Sequence, residues 1–187
     1  MAHKRRDETP EQSHINIVPI GEVDELAVSI VAANLQTLMG LNATTLPPHP
    51  NPEYAFLPLR SQYAAIEIIR TLEAIDDGSR FNLGIVQCDL CTPILKFVFG
   101  ESQLGGKAAV ISLHRLWDKD PARIFLRAAK IGLHETGHLL GIGHCRSHDC
   151  LMAFVSSIDK LDGLPARFCN ACKFEISRSL RHIFGGE

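Results

Sequence analysis

His134-Glu135-Thr136-Gly137-His138-Leu139-Leu140-Gly141-Ile142-Gly143-His144 is the stretch from which the rest of the chain is read. His134 and His138 lie four residues apart, so on a helix they project from nearly the same face. Two imidazoles at that spacing can grip one zinc ion, at about 2.0–2.1 Å each. His144 lies ten residues beyond His134 and would sit roughly 15 Å further along an unbroken helix. Gly141 removes the difficulty, because it can take a left-handed conformation that ends the helix and turns the chain back. Gly143 loosens the returning segment. Three histidines then leave a fourth position open for water, as a catalytic zinc requires.

Glu135 lies on the flank of the histidine pair, where it can reach a zinc-bound water without being a ligand. Zinc lowers the pKa of such a water from about 15.7 toward about 7 and polarises a carbonyl. A glutamate beside it is suited to take the proton and return it to a leaving amine. The pattern therefore predicts a catalytic zinc on His134, His138 and His144, with Glu135 as general base.

Cys145 follows His144 directly, Cys150 comes five residues later, and Cys169 and Cys172 form a CxxC pair. Four thiolates in two pairs suit a closed tetrahedral zinc of the structural kind. Such a site would staple a short C-terminal segment whose own core is small. His148 could replace one of the cysteines. Cys88 and Cys91 form another CxxC with no further cysteine to complete a site. It is read as two plain thiols at a strand end, with a disulfide and a metal or redox role as alternatives. His3, His14, His49, His114 and His182 stand alone and read as surface or core residues.

Outward from the motif, Pro121–Leu140 reads as a long helix with Asp120 as N-cap and Pro121 in its first turn. Upstream, His14–Ile20 reads as a strand and Glu22–Met39 as a helix closed by Gly40. Leu41–Leu46 is a second strand and 47–52 a proline-rich loop. Ser61–Ile75 reads as a helix with Ala65, Ile68, Ile69 and Leu72 on its apolar face. Phe81–Val86, Phe97–Phe99 and Ala108–Leu113 read as strands, and Cys169–Ile183 as a last helix. Strands and helices alternate through two thirds of the chain, so the expected class is α/β (mixed α+β) with a small C-terminal subdomain. The expected division is a polar tail over 1–12, an α/β part over 13–141 and a cysteine-bearing part over 142–187.

The chain has 187 residues and a formal net charge of −2. That size suits one domain, and that charge gives no general attraction to nucleic acid or anionic membrane. Lys173, Arg178 and Arg181 lend the last helix some positive charge, too little to outweigh this. No signal-peptide core follows the polar start and no apolar run reaches membrane length. The expectation is a cytoplasmic monomer whose partner is a peptide or protein substrate, with no nucleic acid and no membrane. In a reducing compartment, paired cysteines are more often metal ligands than disulfides.

His134 to His144, with Cys145, Cys150, Met152, Cys169 and Cys172, resembles the archaemetzincins (archaelysins) of the metzincin clan of zinc peptidases. Their signature, HExxHxxGxxH joined to C-x4-C-x-M and a distal CxxC, is complete here. Phe97-Val98-Phe99-Gly100 and Gly105-Gly106-Lys107-Ala108-Ala109 are similar to the family's strand region. The resemblance implies a metzincin-like fold: a twisted, mostly parallel sheet, with the first two ligands on an active-site helix. It implies that Met152 sits in a Met-turn below the catalytic zinc, supporting the histidines without ligating; from composition alone Met152 is a core filler. It implies zinc peptidase activity, with two zinc ions per chain.

Some metzincins carry a tyrosine after that turn, but here the tyrosines are Tyr54 and Tyr63, far upstream. Arg146, His148 and Arg167 are then the candidates to help zinc stabilise an oxyanion. An aminopeptidase would need an acid to receive the substrate amine, and Glu101 and Asp149 qualify by type only. The alternative function is a catalytically silent zinc protein; the retained Glu135 speaks against it, because a structural site needs no base.

Overall fold

The computed structural model describes residues 13–185, so the polar tail at 1–12 lies outside the described residues. A five-stranded sheet runs in the order β2-β1-β5-β8-β7, made of β1 (His14–Ile20), β2 (Asn42–Thr45), β5 (Phe81–Val86), β7 (Gly100–Ser102) and β8 (Ala108–Ser112). Four strands are parallel, and β7 is antiparallel at one edge. A smaller sheet joins β3 (Phe56–Leu57), β4 (Gln62–Ala64) and β6 (Leu90–Cys91).

The strands alternate sides, and that alternation builds two cores. Ile15, Ile17, Leu83, Ile85, Ala109 and Ile111 face α1 (Glu25–Met39) and α3 (Pro121–Leu139), meeting Val31, Leu35, Ala128 and Ile131. Val18, Ile20, Val86, Ala108 and Val110 face the other way, onto Ile68, Ile69 and Leu72 of α2 (Ala65–Glu73). Each large apolar side chain buried in this way contributes about 1.5–3 kcal/mol. The central strands β1 and β5 are therefore buried on both faces, as parallel strands between helices must be.

Caps explain the helix limits. Asp24 Oδ1 accepts from the backbone N–H groups of Leu26 and Ala27 and starts α1, three residues later than the apolar pattern suggested. Gly40 ends it at φ 73°. Asp120 accepts from Ala122 N–H and Pro121 opens α3, as expected.

Other sequence expectations shift as well. The helix read over 61–75 begins only at Ala65, because Tyr63 and Ala64 pair in parallel with Leu90 and Cys91. The strand read over 97–99 lies at Gly100–Ser102 instead. Phe97–Phe99 has strand-like composition, but the ladder with β8 starts at Gly100↔Ile111, while Val98 N–H donates to Leu90 O. In the C-terminal part, α4 (Ile158–Gly163), capped by Ser157, precedes α5 (Asn170–Phe184) and was not anticipated. Among the described residues, no helix is long and apolar enough to cross a membrane.

Candidate metal centre and active site

α3 carries the site because its last two turns run under the open edge of the sheet. His134 and His138 lie one turn apart, and their Nε2 atoms approach to 3.1 Å. The helix then stops. Gly141 adopts φ 84°, its N–H donates to His138 O, and Ile142 N–H reaches back to Gly137 O. That turn brings His144 round to the pair, with ring centroids 5.3 Å from His134 and 4.8 Å from His138. The ligating atoms of the three rings all lie within 4.8 Å of one another. A tetrahedral zinc with bonds of about 2.0–2.1 Å needs its ligand atoms about 3.4 Å apart, so the donor set fits such an ion.

Second partners orient two of the rings. His134 Nδ1 lies 2.8 Å from Leu151 O and His138 Nδ1 lies 2.7 Å from Ile142 O. A proton on each Nδ1 leaves each Nε2 lone pair facing the shared centre. Burial pushes the His134 pKa down to about 4, so the ring is neutral and able to ligate at physiological pH. His144 makes no such hydrogen bond among the described residues; its ring rests on Phe154 at 5.2 Å.

Met152 is wholly buried beneath the centre. Its thioether occupies the space a side chain at position 137 would fill: a Cβ there would lie 2.5 Å from Sδ. The Met152 carbonyl also accepts from Cys145 N–H at 2.7 Å, tying this floor to the residue after His144. Glu135 is 6% exposed and its carboxyl leans onto β7. Ser102 Oγ donates to Glu135 Oε2 at 2.6 Å. Burial pushes the Glu135 pKa up to about 7, against the lowering effect of that hydrogen bond.

A cleft of about 480 Å³ opens over these groups. Phe97 to Ser102 line one side, His134, Glu135, His138 and His144 the floor, and Phe154, Val155, Leu161 and Leu164 the other side. The far wall is pinned by α4. Arg127 holds Asp162 through two hydrogen bonds, at 2.8 and 2.7 Å, and Lys130 Nζ donates to Leu161 O at 2.9 Å.

The cysteines converge separately. The Sγ atoms of Cys145, Cys150, Cys169 and Cys172 lie within 4.8 Å of one another, all are free thiols, and Cys145 and Cys169 approach to 3.9 Å. Four Zn–S bonds of about 2.3 Å put sulfurs about 3.8 Å apart, so these four also fit a closed zinc site. Cys169 N–H points at Cys150 Sγ and Ser147 N–H at Cys145 Sγ, as donors to thiolates would. His148 does not join the group, and neither Cys88 nor Cys91 belongs to a metal-binding cluster among the described residues.

Most other candidates fall away from the cleft. Arg146, His148, Asp149, Arg167, Tyr54 and Tyr63 do not line it, and Asp149 is bonded to Arg167. Glu101 lies on the lining strand but pairs with Val110, whose side chain belongs to the α2 core. Glu101 nevertheless lines the cleft, and its charge adds to the burial that raises the Glu135 pKa. Ser102, Gly137 and Phe154 went unnoticed in the sequence; only Gly137, a bare position between two ligands on one helix, carried a local signal.

Comparison with known proteins identifies the family and the fold. The model of "Peptidase family M54" matches residues 54–178. The chain is similar to the archaemetzincin of Methanopyrus kandleri, 38% identical over 130 residues, covering 70% of this chain and 74% of that one. It is similar to that of Methanocaldococcus jannaschii, 34% identical over 166 residues, covering 84% and 89%. Among solved structures, the Methanopyrus kandleri archaemetzincin superposes with a TM-score of 0.82 at 31% identity, covering 92% of this chain and 99% of that one. The Archaeoglobus fulgidus archaemetzincin, complexed with malonate, gives 0.79 at 32%, covering 87% and 99%.

Proposed function

The chain belongs to peptidase family M54, the archaemetzincins, and is a zinc metallopeptidase; from that premise we propose that His134, His138 and His144 hold its catalytic zinc and Glu135 is its general base. The observation that carries this reading is the convergence of three imidazoles beside a buried carboxyl at the floor of one cleft. Zinc held there supplies a water of lowered pKa and a Lewis acid for the carbonyl. The remaining chemistry belongs to the chain. Glu135 takes the proton of the attacking water and returns it to the departing amine. Leu151 O and Ile142 O hold two of the rings in the tautomer that ligates.

The substrate is an extended peptide laid against β7, the free edge of the sheet, where main-chain groups can pair with it. Gly100 to Ser102 line the cleft, which supports that placement. The segment 105–113, also considered from the sequence, lies one strand further in as β8.

A second zinc, on Cys145, Cys150, Cys169 and Cys172, joins the start of α5 to the chain after His144 and is structural, because four thiolates leave no open position. One chain supplies every residue of both centres, which supports a monomer acting on a peptide or protein.

The test is Glu135→Gln, which keeps the shape of the side chain and removes the base. Zinc content should stay at the parent level while peptide hydrolysis falls by at least about 100-fold. Equal hydrolysis by the two proteins would remove Glu135 from the mechanism. A parent protein fully loaded with zinc and inert toward a broad peptide library would favour the silent zinc protein instead.

A further inference from the structure

We infer that Ser102 is a positioning residue for the general base, and that β7 does two jobs: its edge receives the peptide, and one of its faces orients Glu135. The inference rests on Glu135 being the base.

Glu135 follows the first histidine on α3, and its side chain has three rotatable bonds with which to miss its target. The structure removes that freedom from the sheet side. Gly100 and Ser102 pair with Ile111 and Ala109, whose side chains lie in the α3 core, so both positions face α3. Gly100 provides room: a Cβ there would lie 2.7–2.9 Å from Cγ, Oε1 and Cδ of Glu135, closer than carbon tolerates. Ser102 provides the bond, at 2.6 Å to Oε2. A neutral hydroxyl donating to a carboxylate makes a strong, short hydrogen bond. With Oε2 engaged, the plane of the carboxyl is set and Oε1 is the oxygen left to take a proton. Ser102 keeps its own proton throughout and forms no covalent bond.

The two roles differ in their kinetic signature. A strand that merely shaped the cleft would, when altered, change substrate affinity. A hydroxyl that aims the base changes the chemical step, where a misplacement of about 1 Å can cost about 100-fold.

The experiment compares zinc-loaded parent, Ser102→Ala, Ser102→Thr and Glu135→Gln. Ser102→Ala is expected to lower kcat about 10- to 100-fold while KM, zinc content and thermal midpoint stay at parent values. Ser102→Thr, which keeps the hydroxyl, is expected to recover most of kcat. A second readout needs no turnover. In protein emptied at the histidine centre alone, with the cysteine centre kept loaded, the infrared carboxylate band assigned at alkaline pH to Glu135 by its loss in Glu135→Gln should shift in Ser102→Ala and return in Ser102→Thr. A parent-like kcat in Ser102→Ala, a loss confined to KM, or an unmoved band would overturn the inference. If Glu135→Gln itself keeps parent activity, the assignment of the base has failed instead, and the two failures are told apart by that one variant.

Discussion

His144 rests edge-on against Phe154, ring centroids 5.2 Å apart at 74°, while His134 and His138 are each oriented by a backbone carbonyl. The third ring is thus held by packing where the other two are held by hydrogen bonds. An aromatic contact of this kind is worth about 0.5–1.5 kcal/mol. Phe154→Ala should therefore weaken zinc binding at the histidine centre by about 2- to 10-fold, read by competition with a chelating dye, and leave the helix content by circular dichroism unchanged. Unchanged affinity would mean that the turn at Gly141 alone places His144.

Gly141 isolates the backbone's share of that placement. Its φ is 84°, and a Cβ there meets nothing within 4 Å. Gly141→Ala therefore costs only left-handed backbone strain, about 1–2 kcal/mol. The expected result is that much loss in denaturant stability together with weaker zinc binding, because the relaxed turn no longer returns His144 to the pair. Lost affinity at full stability would point to a contact not seen in this fold.

The wall opposite β7 should depend on pH through Asp162. The Arg127 guanidinium beside it holds its carboxyl below the usual carboxylate range. A depressed folded pKa contributes stability that is present above the unfolded value of about 3.9 and disappears as pH falls through the folded value. Arg127→Leu should destabilise the protein by about 2–3 kcal/mol at neutral pH, at or below the usual cost of breaking a buried pair because Asp162 is one-third exposed. Urea midpoints of parent and variant should converge below about pH 3.9. A difference that persists at full size in acid would assign the effect to Arg127 packing and its bonds to Leu116 O and Trp117 O instead.

The two metal centres should empty in order. The histidine centre offers three neutral ligands and an exchangeable position, whereas the cysteine centre offers four thiolates and folds the C-terminal segment. During a chelator titration, activity should fall with the first equivalent of zinc while circular dichroism holds, and the fold should fail with the second. Cys145 N–H is bonded to Met152 O, so losing the second zinc also disturbs the floor under the first. Simultaneous release of both ions with unfolding would contradict a catalytic and structural division.

What could be read from the sequence was local. His134, His138 and His144 are related by helix pitch and one glycine, and Cys169 and Cys172 by a single turn, so spacing alone brings each set near its partner. The hydroxyl of Ser102 reaches Glu135 across 33 positions of chain, and serine is too common on strands to announce such a bond. Phe97–Phe99 misled for a related reason: aromatic composition reports a buried, extended segment, but the partner strand decides where the ladder begins. Glu101 had the right chemistry for an amine anchor and lines the cleft, while Asp149, the other acid of that type, does not. Only the long-range fold carries that information.

The shortness of β7 has a bearing on solubility. An unpaired sheet edge invites other chains to add to it, and proteins with long flat edges aggregate. Here the open edge is three residues, Gly100 to Ser102, bounded on one side by Val98, which pairs with Leu90 of β6, and on the other by the tight turn at Gly105. Three residues offer too few backbone pairs to hold a second folded sheet. They would suffice for the proposed peptide substrate, a flexible strand that also meets the apolar walls of the cleft. An edge this short could stay uncovered for the proposed substrate and still give a second copy of the chain little to pair with.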